Sequence, residues 1–258
     1  MSYYPTLIKI LNLVAYLFLA VFVTEPEFRF ENHDIIILPY SYVFYIWNLI
    51  HWLLSIFLVY QFIDTANDII VKGISWRFVC VAILNVIWLM LVVTERLGLA
   101  LITILIVAYQ LSFIYHNLKV NYPPQNRFDA VFIHLPFNLY QPWILIIVII
   151  NTFAAFLPDK PDKGDENQDI ETYIIVLGVI SLIILNVITI FYQRIYQDLI
   201  AASVITIVLY GIAIQQSEVE IIYWSSIILA IMNTIGIFST YLRKRMRQRM
   251  EEGAPLLG

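Results

Sequence analysis

Two stretches of the sequence set aromatic rings and amides at helical spacing. Tyr40, Phe44, Trp47 and His51 recur at i, i+4, i+7 and i+11, and Tyr140, Trp143, Ile147 and Asn151 at i, i+3, i+7 and i+11. Each set falls on one face of a helix. A third stretch adds Asn85 and Trp88, one turn apart. A wall of rings broken by a few amides suits a flat, largely apolar molecule that stacks on the rings and hydrogen-bonds at few points. The same stripes also serve helix packing and the aromatic belt of a membrane surface. Tyr40 and Tyr140 stand near the ends of their apolar stretches, where such belts lie. Trp47, Trp88 and Trp143 lie deeper, and for them both readings stay open.

His51 is the one histidine well inside an apolar stretch. An imidazole there can ligate haem iron or carry a proton. No second histidine stands at ligand spacing, which favours a hydrogen-bonded packing role. His134 is expected at the membrane surface. Asn48, Asn85, Asn151, Asn186 and Asn233 all fall within apolar stretches, where amides serve as interhelical hydrogen-bonding groups. The single cysteine, Cys80, reads as a small buried apolar residue and cannot form an intramolecular disulfide. The sequence has no Gly-rich phosphate loop, no Ser-His-Asp ordering and no His/Cys metal spacing. Its carboxylates lie in loops. The expectation is therefore a protein that is not an enzyme and requires no cofactor.

The elements that position these side chains belong in lipid. Of 258 residues 61% are hydrophobic and 13% charged, with a mean hydropathy of +0.80. Soluble domains sit near 45–50% apolar and about 25% charged. A net charge of −4 supplies no basic field for nucleic acid. A spanning helix needs about 20 mainly apolar residues, and eight stretches approach this: 7–23, 40–63, 76–93, 97–117, 132–157, 172–192, 199–214 and 221–242. The fold class is thus an all-α integral membrane protein with about eight transmembrane helices, the lipid bilayer being its first partner. Thr94-Glu95-Arg96 alone separates the third and fourth stretches, so these form a tight helical hairpin. An unbroken helix would place Glu95 and Arg96 in hydrocarbon, at a few kcal/mol each.

Eight spans put both termini on one side. That side carries Lys9, Lys72, Arg77, Lys119, Arg127, Arg194, Arg243, Lys244, Arg245, Arg247 and Arg249. The other carries Arg29, Arg96, Lys160 and Lys163. The positive-inside bias then makes both termini cytosolic. On the far side, the loop 24–39 places Arg29 between Phe28 and Phe30 and is long enough to fold over the mouth of a bundle. The loop 158–171 is polar, acidic and Pro/Gly-broken. It divides a five-helix region, 1–157, from a three-helix region, 172–242, which a basic tail, 243–258, follows.

On three fragments the chain resembles the translocator protein / tryptophan-rich sensory protein (TspO) family. PYSYVFYIWNLIHWLLSIFLVYQF is similar to that family's Pro- and aromatic-led helix, with Pro39, Phe44, Trp47 and Tyr60 in place. LNVIWLMLVVTERLGLALITIL is similar to its Leu-Asn-x-x-Trp helix and Gly-Leu-Ala turn, at Leu84, Asn85, Trp88, Gly98, Leu99 and Ala100. YQPWILIIVIIN reproduces a Tyr-x-x-Trp-x7-Asn pattern at Tyr140, Trp143 and Asn151. The resemblance implies a TspO-like five-helix bundle over 1–157 plus three further helices. It also implies a pocket, capped by the loop after the first helix, that takes porphyrins, sterols or related hydrophobic ligands. Departures from the family pattern are Ile50-His51 for a usual Tyr, Val92-Val93 for paired Phe, and Ile147 for a small residue, which narrows the pocket.

The functional expectation is a membrane receptor, sensor or carrier whose ligand, a porphyrin or sterol, contacts Phe44, Trp47, His51, Asn85, Trp88, Tyr140, Trp143, Ile147 and Asn151. The alternatives are a polar-solute transporter, or a structural or sorting protein without a small-molecule ligand; a homo-oligomer fits any of them. In the tail, Glu252 with Leu256 and Leu257 resembles an acidic dileucine signal read by clathrin adaptors. It points to a vacuolar, lysosomal or endosomal membrane, the plasma and mitochondrial outer membranes being the alternatives.

Overall fold

The computed structural model describes residues 4–22, 35–63, 66–157 and 168–253, and in the last stretch the side chains of 172–250. Every regular element among them is helical. In chain order the long helices are α1 (Tyr4–Phe22), α2 (Ser41–Tyr60), α3 (Arg77–Val93), α4 (Leu97–Val120), α5 (Arg127–Phe156), α6 (Gln168–Phe191), α7 (Leu199–Gln215) and α8 (Glu220–Gly253). A π-helical turn, Tyr192–Tyr196, prolongs α6, and another, Ile69–Ile74, precedes α3. Six of the helices are long and apolar enough to cross a membrane, while α3 and α7 are shorter. At about 1.5 Å per residue their 17 residues each reach about 25 Å, the low end of a spanning length.

The first five helices close into a ring. α1 packs on α3, α3 on α4, α4 on α5, α5 on α2, and α2 back on α1. Large apolar side chains such as Val14, Val21, Ile102 and Val93 point outward and stay exposed, whereas Trp47, Phe57, Phe78, Phe137, Tyr140 and Trp143 fill the interior. That inversion of size and polarity is what a lipid-facing bundle needs, since shape and internal polar contacts rather than water exclusion hold its helices together. The last three helices pack on one another, and α7 joins them to the ring by lying on α5.

Helix ends are set by identifiable chemistry. At the α3–α4 hairpin, Arg96 N–H reaches Leu91 O at 2.9 Å and Glu95 N–H reaches Val92 O at 3.0 Å, with Glu95 at φ 56°. This is a Schellman turn in which Glu occupies the left-handed position usually given to Gly. α5 starts earlier than the apolar stretch from 132, because Asn126 caps it: its Oδ1 accepts the Asp129 N–H at 2.8 Å. Asp198 caps α7, its Oδ1 accepting from Ile200 N–H at 3.0 Å and Ala201 N–H at 3.2 Å. α8 does not stop at 242 but continues through the basic stretch. Arg, Lys, Met, Gln and Glu are strong helix formers, and no Gly or Pro interrupts them before Gly253.

The segment that leads into α2 is wedged against α7. Gln216 Nε2 donates to Ile35 O at 3.1 Å and Leu38 O at 3.3 Å, and Tyr40 N–H donates to Gly211 O at 3.0 Å. Residues 23–34, with Phe28, Arg29 and Phe30, lie outside the described residues, as do 158–167 of the acidic loop.

Candidate functional site

α2 and α5 are neighbours in the ring, and their stripes meet where they pack. Phe44 and Trp143 make an edge contact at 5.7 Å between centroids. One turn further in, Trp47 meets His51 at 4.4 Å and Tyr140 at 5.9 Å, and His51 meets Tyr140 at 6.3 Å. The rings are mutually perpendicular or steeply tilted, the arrangement their quadrupoles favour. Ile147 is buried on the same helix as Tyr140 and Trp143. α3 closes the wall through two hydrogen bonds to α5. Asn85 Nδ2 donates to Tyr140 Oη at 2.6 Å, and Trp88 Nε1 donates to Asn151 Oδ1 at 2.8 Å. Asn151 in turn donates to Leu97 O at 3.3 Å, tying α4 to the same point.

The structure thus gathers all nine candidate residues in one ring interior and divides them into two kinds. Trp88 and Asn151 satisfy each other and serve as an interhelical clamp. Around Tyr140 the polar groups are unmatched: Trp47 Nε1, Trp143 Nε1, both ring nitrogens of His51 and Asn85 Oδ1 are buried with no hydrogen-bond partner among the described residues. Asn85 Nδ2 also donates to Val81 O at 3.0 Å. A carbonyl can only accept, so this contact fixes the amide orientation and leaves Oδ1 as the free end. His51 therefore packs by its ring alone. Its backbone carbonyl, not its imidazole, carries the hydrogen bonds, accepting from Tyr16 Oη at 2.6 Å and Ser55 Oγ at 2.9 Å. Among the described residues no three His, Cys, Asp or Glu side chains form a metal-holding group.

Several residues of the site did not figure among the candidates. Tyr16 of α1 stacks on His51 at 5.9 Å and on Phe78 at 6.4 Å, and Phe57, Phe78 and Phe137 continue the aromatic column below it. Asn12 Nδ2 donates to Gln61 Oε1 at 3.2 Å. The signal was present in α1, where Lys9, Asn12 and Tyr16 lie at i, i+3 and i+7, the buried face of that helix. His134, expected at the membrane surface, is buried in α5 with Nε2 unpartnered. Asn48 does not form an interhelical bridge and lies on the exposed face of α2.

At the end of the bundle that gathers the basic residues, two carboxylates tie helices together. Asp129 Oδ1 accepts from Tyr60 Oη at 2.7 Å, joining α2 to α5. Asp198 Oδ2 lies 2.8 Å from Lys119 Nζ and accepts from Tyr115 Oη at 2.9 Å, joining α4 to α7. Glu252 falls at the end of α8 without a described side chain, and Leu256 and Leu257 lie outside the described residues.

Comparison with curated proteins and with solved structures matches none of them. The sequence profile of one family does match, over residues 7–239, and so runs through the closed ring and on through α6, α7 and most of α8. A match of that extent, on helices whose interior carries the aromatic and amide pattern described above, makes this chain a member of the TSPO-like protein family.

Proposed function

We propose that the protein is a membrane receptor, sensor or carrier that holds a hydrophobic small molecule of the porphyrin or sterol class inside the α1–α5 ring. The observation that carries this reading is the set of unmatched polar atoms around Tyr140. Each buried donor or acceptor without a partner costs about 1–3 kcal/mol, and native structures retain few of them. Four neighbouring side chains hold five such atoms, two indole N–H groups among them. A flat ligand with polar edges satisfies the N–H groups and stacks on the rings that surround them. Because the rings touch one another, such a ligand enters by parting Trp47 from Tyr140 and Phe44 from Trp143.

In the same reading all eight helices cross the bilayer, with both termini on the cytosolic side where the basic helix ends gather, and the tail signal directs the protein to an endomembrane. The test is a titration of the detergent-purified protein with protoporphyrin IX, followed by tryptophan fluorescence. Saturable micromolar quenching, lost in Trp143→Ala, is the expected result. Quenching that is unsaturable or indifferent to Trp143→Ala rejects a porphyrin in the ring.

A further inference from the structure

Away from the ring, α6 and α8 diverge to leave a groove of about 630 Å³, continuous with a smaller recess of about 320 Å³ that shares Gln193, Arg194, Thr240 and Arg243. Its outer end is cationic, lined by Arg194, Arg243, Lys244 and Arg247, and among the described residues no carboxylate lines either part. Its inner end reaches Asn186, Asn233 and Gly236. Asn233 is 2% exposed, yet among the described residues its Nδ2 has no hydrogen-bond partner, and neither has Asn186 Oδ1. The walls hold their spacing through two contacts. Gln193 Nε2 donates to Asn233 O at 3.3 Å, and Lys244 Nζ donates to Gln197 O at 2.5 Å. Gly236 lies between them, and a Cβ there would meet the Gln193 amide, with its Cδ at 3.2 Å, and displace it.

We infer that this groove is a binding site for one anionic phospholipid of the leaflet that meets the basic helix ends. Arg243 stands ten residues beyond Asn233 on α8, about 15 Å of helix rise, which is the depth of one leaflet of a hydrocarbon core about 30 Å thick. A phosphate seats among the guanidinium groups, whose planar forks match its oxygens. The acyl chain runs inward beside Ile190 and Met232. The ester oxygens, the acceptors a lipid carries about one helical turn below its phosphate, fall level with Thr240 and Gln193, which line both parts of the groove. A soluble phosphate compound shares the charge chemistry but leaves the inner half of the groove unused.

The full chain reconstituted in nanodiscs of phosphatidylcholine with a minority of phosphatidylserine, then read by native mass spectrometry, tests the assignment. Phosphatidylserine is expected to be retained over phosphatidylcholine, and R194Q and R243Q each to lower the enrichment about fivefold. Gly236→Leu where it folds, and Ile190→Trp on the opposite wall, keep every charge, fill the inner groove and are expected to lower it as well, whereas R245Q/R249Q, which removes cations that do not line the groove, leaves it unchanged. Equal losses in R245Q/R249Q and R194Q/R243Q would show diffuse surface charge and overturn the site, as would full retention in Ile190→Trp. Displacement of phosphatidylserine by millimolar inorganic phosphate would overturn the lipid assignment in favour of a soluble anion.

Discussion

Trp88 and Trp143 are both buried inside the ring, but one indole N–H is satisfied and the other is not. Replacing each by Phe removes the same atoms and leaves a cavity of the same size, so the cavity penalty cancels in a comparison of the two. What differs is the N–H. In Trp88→Phe the bond to Asn151 is lost, an interhelical contribution of about 0.6 kcal/mol with an upper value near 1.7, and Asn151 Oδ1 becomes unpaired. In Trp143→Phe an unpaired donor is removed, which relieves about 1–3 kcal/mol. Trp88→Phe is therefore expected to be the less stable by about 2 kcal/mol or more. Ligand binding should show the opposite order. Loss of the free donor at position 143 weakens protoporphyrin by about 0.5–1.5 kcal/mol, a rise in Kd of about 2- to 13-fold, while Trp88→Phe leaves Kd within about twofold. Stability is read by dodecyl sulfate titration in mixed micelles followed by circular dichroism, and Kd by quenching of the remaining tryptophans. Equal stabilities together with an unchanged Kd in Trp143→Phe would refute the argument that the unmatched N–H groups exist for a ligand.

Three further outcomes are expected. Asp198→Asn retains the α7 cap, since Asn and Asp cap equally well, but loses the charge facing Lys119; it should cost about 1–2 kcal/mol, the ion pair being discounted for the partial exposure of Lys119. Asp198→Ala should cost about 1 kcal/mol more, and equal losses in the same micelle titration would remove the cap from the account. Gly211→Ala drives a Cβ into Val43 and to 3.2 Å from Pro39 Cβ, so an overpacking loss of about 1–3 kcal/mol is expected; unchanged stability would contradict the close approach of α7 to the start of α2. In cells, a tagged Leu256→Ala/Leu257→Ala variant should shift from endosomal and lysosomal membranes to the cell surface, and an unaltered distribution would reject the dileucine signal.

Spacing alone identified the interior faces of α2, α3 and α5, because rings and amides at helical intervals in an apolar stretch have few other places to go. It did not reveal that Asn85 meets Tyr140 or that Trp88 meets Asn151, since nothing in one helix records the rotation of another. The same limit hid Tyr16: α1 reads first as a span, and only its packing on α3 and α2 turns Asn12 and Tyr16 into parts of the wall. Asp129 and Asp198 are visible in the sequence as carboxylates near span ends. Their distant partners Tyr60, Tyr115 and Lys119, which make them fasteners between helices, are not. The basic stretch after 242 reads as an end to the membrane span, yet it continues α8 as a helix and supplies the cationic lining of the α6–α8 groove.

The three C-terminal helices bear on the ring at α5 and α4, and also through the segment that leads into α2. Residues 35–44 approach α2 from the far end of the bundle, and α7 holds them by backbone and side chain at once: Tyr40 N–H on Gly211 O, and the Gln216 amide on Ile35 O and Leu38 O. α6 adds a second constraint, where Gly178 admits Ile36 at 3.3 Å from the place its own Cβ would take. Val43 packs against Gly211, and Phe44, the next residue, is the outermost ring of the aromatic wall. Trp47 and His51 follow at intervals of one turn on the same rigid helix. A displacement of α7 relative to α5 therefore carries the start of α2 with it and changes the gap between Phe44 and Trp143. Conversely, a molecule that parts Trp47 from Tyr140 pushes on α2 and α5, and α7 touches both the lead-in to α2 and the body of α5. α7 thus touches the ring at two places, the lead-in to α2 through Gly211 and Gln216 and the body of α5, so a shift of α7 is expected to reach the wall from both sides.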